Sequence, residues 1–180
     1  YFDNGNVQMK TFSFQADPIS TEYQDSYVEF FPSGDTSITQ EYRVKHKYGK
    51  YRKFYRNGKI EERGTYKKNR LEGAWKAFYK NGEPKEEGEY RDFKRYGKWK
   101  YYSEKGYMIR SGSFENGVEQ GEWKEFHENG KIKGTFLYDA GKLEGEVKMY
   151  YETGELSSEL VYSAGLAHGK MTKYHKDGKE

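Results

Sequence analysis

The chain of 180 residues has no cysteine, three prolines, and only 6 Leu, 5 Ile and 6 Val. Without cysteine there is neither a disulfide nor a thiolate metal site, and either redox compartment is compatible with the chain. No apolar run approaches the roughly 20 residues of a membrane-spanning helix. Adding the 11 Phe raises the main apolar residues to only 28 of 180, a level that signals disorder when net charge is large. The net charge is only +3, from 32 basic and 29 acidic residues. Disorder is therefore rejected, and the strong field that favours nucleic acid is missing. What replaces the aliphatic core is 19 Tyr, 11 Phe and 3 Trp, rings that cover a flat surface while polar tips stay wet.

Glycine organises these rings. Nineteen of the 21 glycines fall into columns spaced by 24 residues: Gly34 to Gly178, Gly49 to Gly169, Gly64 to Gly112, and Gly117 to Gly165. Gly5 stands 29 residues ahead of Gly34, and Gly134 lies two residues before its expected place at Phe136. Such periodicity is the mark of a repeat array. The unit from Asn57 to Lys80 reads turn, strand, turn, strand. Asn57-Gly58, Asn81-Gly82 and Asn129-Gly130 predict tight type I′ hairpins, and the bend before Gly73 reads as longer and polar. Alternating side chains between these turns predict strands, and the recurring glycines leave no window for a helix.

The expected fold is all-β: an elongated, single-layer antiparallel meander of roughly 14 strands, on the order of 65 Å long at about 4.8 Å per strand. It forms one repeat domain over residues 1–180. Residues 1–33 read as an irregular N-terminal cap with an insertion around Pro18, 34–178 as six regular repeats, and 179–180 as the C-terminal end. The columns of Tyr51, Trp75, Trp99 and Trp123, of Tyr66, Tyr90 and Phe114, and of Phe54, Phe78 and Phe126 are the expected core ladder. Gly64, Gly88 and Gly112 leave room for a ring to lie flat on the backbone. Where that column becomes Phe136 and Leu160, the Trp column shrinks to Val147 and Met171, so volume moves from one column to the other.

The pattern Tyr55-Arg56-Asn57-Gly58-Lys59 through Leu71-Glu72-Gly73-Ala74-Trp75 resembles the MORN repeat variant of bacterial YwqK-type proteins, across about seven units. The resemblance weakens before Tyr27 and in the last two units, where Trp is lost. It implies an elongated hairpin array, an antitoxin-like role against a toxin partner, and the scaffolding, dimerisation or membrane proximity linked to MORN arrays.

Catalysis needs convergent groups, and repetition spreads them out. His127 and His175 occupy equivalent positions 48 residues apart, about 19 Å along the sheet. His46 and His168 belong to distant turns, and no histidine has metal-ligand spacing. Neighbouring carboxylates such as Glu61 and Glu62 face opposite sides of a strand, so neither a catalytic pair nor a cofactor is expected. The better surface for interaction is the column Phe31, Tyr55, Tyr79, Ser103, His127, Tyr151 and His175, which keeps a ring at every position but Ser103. The expected role is non-catalytic protein interaction or scaffolding, with open sheet edges available for a homodimer. The alternative is an envelope module that binds polysaccharide or lipid head groups through its aromatic and Lys-rich face. The chain opens at Tyr1 partway through a repeat, which suggests removal of a signal segment and favours export or envelope association over the cytoplasm.

Overall fold

The computed structural model describes residues 9–14, 24–43 and 45–176, and every regular element among them is a β-strand. The chain divides into two compact units, Tyr1–Phe93 and Lys94–Glu180. The first holds β1 (Met9–Phe14), β2 (Gln24–Phe30), β3 (Thr36–Arg43), β4 (His46–Phe54), β5 (Ile60–Lys67), β6 (Arg70–Leu71), β7 (Gly73–Phe78) and β8 (Pro84–Arg91). The second holds β9 (Lys94–Tyr102), β10 (Met108–Glu115), β11 (Val118–Phe126), β12 (Ile132–Asp139), β13 (Lys142–Leu143), β14 (Gly145–Tyr150), β15 (Leu156–Ser163) and β16 (Leu166–Lys173). Within each unit consecutive strands pair antiparallel, and β6 and β13 are two-residue pieces alongside β5 and β12. The expected insertion between Gly5 and Gly34, most of the 1–33 cap, the Asp177-Gly178 turn and the C-terminal end lie outside the described residues.

The turns exchange the roles expected from the sequence. At Asn57-Gly58 only the glycine has positive φ, at 78°. The Gly58 amide donates to the Tyr55 carbonyl at 2.9 Å and the Tyr55 amide to the Lys59 carbonyl at 2.8 Å. This is a three-residue loop, a type I turn closed by a left-handed glycine, in place of the two-residue type I′ turn. The type I′ geometry sits at the bend expected to be longer: Lys68 and Asn69 have φ of 50° and 67°, Asn116 and Gly117 52° and 87°, and Ala140 and Gly141 47° and 80°. Lys67 pairs with Arg70, Glu115 with Val118, and Asp139 with Lys142 across those two-residue loops. The extra length that suggested a long bend is absorbed just after it. Pairing passes from Tyr66 with Leu71 to Arg63 with Lys76, which leaves two residues over, and Gly73 takes φ of 80° there. Such a bulge shifts the pairing by two residues without changing which face a side chain takes, and it sets Trp75 opposite Gly64 on the core face.

On that face, rings from alternate strands meet above glycine. Tyr51 pairs with Gly64 from one side, Trp75 packs from the other, and the two rings stack at 6.3 Å with planes 11° apart. A Cβ on Gly64 would lie 2.6 Å from Trp75 Cε3, and one on Gly112 would lie 2.0 Å from Trp123 Cδ2. Edge contacts extend the ladder from Tyr51 to Tyr66 at 5.6 Å, Trp75 to Tyr90 at 5.6 Å, Trp99 to Phe114 at 5.9 Å, and Phe114 to Trp123 at 5.1 Å. Each such contact contributes about 0.5–1.5 kcal/mol beyond area burial. Trp75, Trp99, Trp123 and Phe114 are buried, whereas Tyr51, Tyr66, Tyr90, Phe54, Phe78 and Phe126 are half-buried. Burial, with a 2.8 Å hydrogen bond to Glu62, pushes the Tyr51 phenol well above its ordinary range.

Two departures from the glycine column obey the same geometry. Gln40 occupies the column in β3, buried between Tyr27 and Tyr51, its neighbours across the strands. In β12 the glycine has moved to Gly134, where a Cβ would meet the Phe136 ring at 3.0 Å and Met149 Sδ at 2.8 Å. Phe136 folds back over the displaced glycine, so the out-of-register residue still makes room for a ring.

Gly112→Ala is expected to cost roughly 1–3 kcal/mol in urea denaturation through overpacking, and to cost little in a Trp123→Val background. A full cost in that background would separate the glycine from the ring. Ala140 holds a left-handed conformation that an L-residue other than Asn or Asp adopts poorly, so Ala140→Asn is expected to stabilise by about 1 kcal/mol, measured as a higher Tm.

Candidate functional site

The residues that follow the ring-bearing strands lie at type I turns, and within each unit side chains of one turn bond to the next. Tyr55 donates its hydroxyl to the Phe78 carbonyl at 2.7 Å, Asn57 Nδ2 reaches the Lys80 carbonyl at 3.0 Å, and Lys59 Nζ reaches the Asn81 carbonyl. One repeat thus satisfies three carbonyls of the next turn. The second unit repeats the device: His127 Nε2 lies 2.9 Å from the Tyr150 carbonyl, Asn129 Nδ2 donates to Glu152 at 2.8 Å, and Lys131 Nζ donates to Thr153 at 2.7 Å. Because a carbonyl only accepts, that contact assigns the His127 proton to Nε2. Tyr151 continues the series with a 2.8 Å bond to the Tyr174 carbonyl. The Asn-Gly-Lys sequence is legible in these terms, since Asn57 Oδ1 also accepts from the Lys59 amide at 3.1 Å and braces its own turn.

Of the proposed surface residues, the fold brings Phe31 and Tyr55 into one groove. Their turns, at 31–35 and 55–59, flank a cavity of about 520 Å3. Phe30, Phe31, Pro32, Ile38, Phe54 and Tyr55 supply its apolar wall, while Lys53, Arg56, Lys80, Glu29 and Glu61 supply its charges. Lys53 and Glu61 pair at 3.2 Å, and the Arg56 guanidinium lies 5.9 Å from the Phe31 ring centroid. Arg56 and Lys80 are exposed on the rim. Tyr79, His127, Tyr151 and His175 lie at other turns. Lysines stand over two of these rings, Lys85 over Tyr79 at 5.9 Å and Lys176 over Tyr151 at 5.7 Å.

Taken one repeat at a time, Arg56 and Lys80 look like ordinary exposed turn residues. Their column carries the missing signal: it reads Pro32, Arg56 and Lys80 in the first unit, then Glu104, Glu128, Glu152 and Lys176 in the second. Arg56 and Lys80 are basic where they border the apolar groove, whereas three of the four equivalent positions in the second unit are acidic. An apolar cleft with a few placed polar groups is the usual form of a binding site. Among the described residues, no group of three His, Cys, Asp or Glu side chains converges as a metal site would require.

Four stretches of the chain, residues 47–68, 71–92, 119–140 and 143–164, match the MORN repeat variant. No curated protein matches the sequence. These stretches begin within β4, β6, β11 and β13 and run through the following type I turn to the next type I′ turn, so the matched unit is the hairpin described above. Tyr55→Phe is expected to cost about 0.5–1.5 kcal/mol by leaving the Phe78 carbonyl without its donor while keeping the groove's ring. Unchanged denaturation would show that the tie does not hold consecutive turns.

Proposed function

Starting from a chain built with MORN-type repeats, we propose that it is a non-catalytic interaction module that docks a partner protein at the groove between the Phe31 and Tyr55 turns. MORN repeats are a non-enzymatic module that binds proteins or membranes. The observation that favours a protein partner is the shape and chemistry of the groove: half-buried Phe31 and Tyr55 form an apolar wall beside exposed Arg56 and Lys80. Aromatic anchors bordered by arginine are the side chains that carry most binding energy in protein interfaces. The basic rim selects a partner that presents an apolar side chain next to carboxylates, with the charges steering the encounter.

The resemblance to YwqK-type antitoxins makes a toxin protein the first partner to test within this reading. Its neutralisation belongs to the same groove, since a docked protein would be held there without chemistry on either chain.

A photo-crosslinker placed at Pro32 is expected to trap one specific protein in cells, and the Arg56→Glu, Lys80→Glu double variant to abolish trapping with an unchanged Tm. Reversal of the rim charge removes steering and rim contacts while the turn carbonyls keep their donors, Tyr55, Asn57 and Lys59. Undiminished trapping by the double variant would overturn this location. Binding of glycans or vesicles at the groove in place of protein would overturn the class of partner.

A further inference from the structure

We infer that the face of the first unit bearing Arg52, Arg63 and Lys76 holds a binding site for one tetrahedral dianion, a phosphate group. The register places these three cations directly opposite one another on consecutive strands: Arg52 pairs with Arg63, and Arg63 with Lys76. Directly opposed like charges destabilise a sheet. The equivalent residues elsewhere avoid this conflict. Glu87 faces Lys76 and pairs with it at 2.5 Å, Glu159 faces Lys148, Ser111 faces Lys100 and Lys124, and Thr135 faces Lys124 and Lys148. Across each cation the column of Arg63 offers an acid or a hydroxyl, except at Arg63 itself.

The three cations are also not spread over a plain surface. With Lys50 and Thr65 they line a hollow of about 270 Å3, where Gly64 and Ala74 contribute almost no side chain. Four cations line it, and of these Lys76 already pairs with Glu87, which leaves Lys50, Arg52 and Arg63 to meet an anion. Neither Arg52 nor Arg63 has an ion pair among the described residues. Arg63 is held with its guanidinium 5.4 Å from the Phe78 ring centroid, which limits the entropy lost when it binds. Guanidinium groups bind phosphate oxygens through paired N–H donors, and an ammonium adds a compact charge. A dianion seated between them removes the repulsion that the register imposes. This site is separate from the groove at the turns and stands without the function proposed for it.

Inorganic phosphate is the first probe, compared with chloride at equal ionic strength by calorimetry and thermal unfolding. Phosphate is expected to bind and raise the Tm of the wild-type protein. Arg63→Glu installs the acid that its column carries at Glu87 and Glu159, so it is expected to raise the Tm in chloride and to weaken phosphate binding at least ~10-fold. Lys124→Gln, in the same column as Lys76 but outside the hollow, is expected to leave binding unchanged. Equal behaviour in phosphate and chloride, or undiminished binding by Arg63→Glu, would overturn the site. Glycerol phosphate and phosphatidate vesicles then separate the sources: Arg63-dependent binding of the first assigns a soluble ester, and of the second alone a lipid head group. Arg63-independent binding of both overturns the assignment.

Discussion

A tryptophan ring resting on the bare backbone of the preceding strand is the contact on which the other features of this fold depend. Trp75 over Gly64 and Trp123 over Gly112 leave no space for a Cβ, so the glycine is required by the ring and the ring fills what the glycine leaves open. A chain with so few aliphatic residues gains its burial here, by laying large flat groups directly on peptide planes. The bulge after each type I′ turn follows from this need. It shifts the register by two residues and brings the tryptophan opposite the glycine.

Repetition of the contact also sets what the molecule can do. Because equivalent side chains recur along the strands, titratable groups are distributed, and specificity arises where one repeat differs from the next. The groove lies where the turn column reads Pro32, Arg56 and Lys80 before it becomes acidic. The cationic hollow lies where Arg63 replaces the acid or hydroxyl of its column. Both belong to the first unit, on ground that the ring ladder and the turn-to-turn hydrogen bonds hold in place. Pre-ordered side chains lose less entropy on binding than mobile ones.

Much of the fold could be read from the glycine register, including the antiparallel hairpins and the space under the rings at Gly64 and Gly112. The turn types could not, because Asn-Gly suits both a type I′ turn and a type I turn closed by a left-handed glycine. The choice depends on which residues pair across the loop, as Phe54 with Ile60 does here. Gly134 was visible as an exception, but its meaning required the Phe136 ring to be seen folding back over it. For the site, Phe31 and Tyr55 could be picked out as rings in one column. Arg56 and Lys80 show in the sequence only as the basic members of a turn column, and that they border Phe31 and Tyr55 follows from how neighbouring turns are joined by side-chain bonds to carbonyls.

Amide hydrogen exchange tests the central role of the ring-on-glycine contact most directly, since local stability follows local packing. The greatest protection is expected in the strands around Gly64 with Trp75 and around Gly112 with Trp123, falling toward β15 and β16, where Leu160 and Met171 replace the glycine and the ring. Protection that is uniform along the chain, or greatest in β15 and β16, would contradict it.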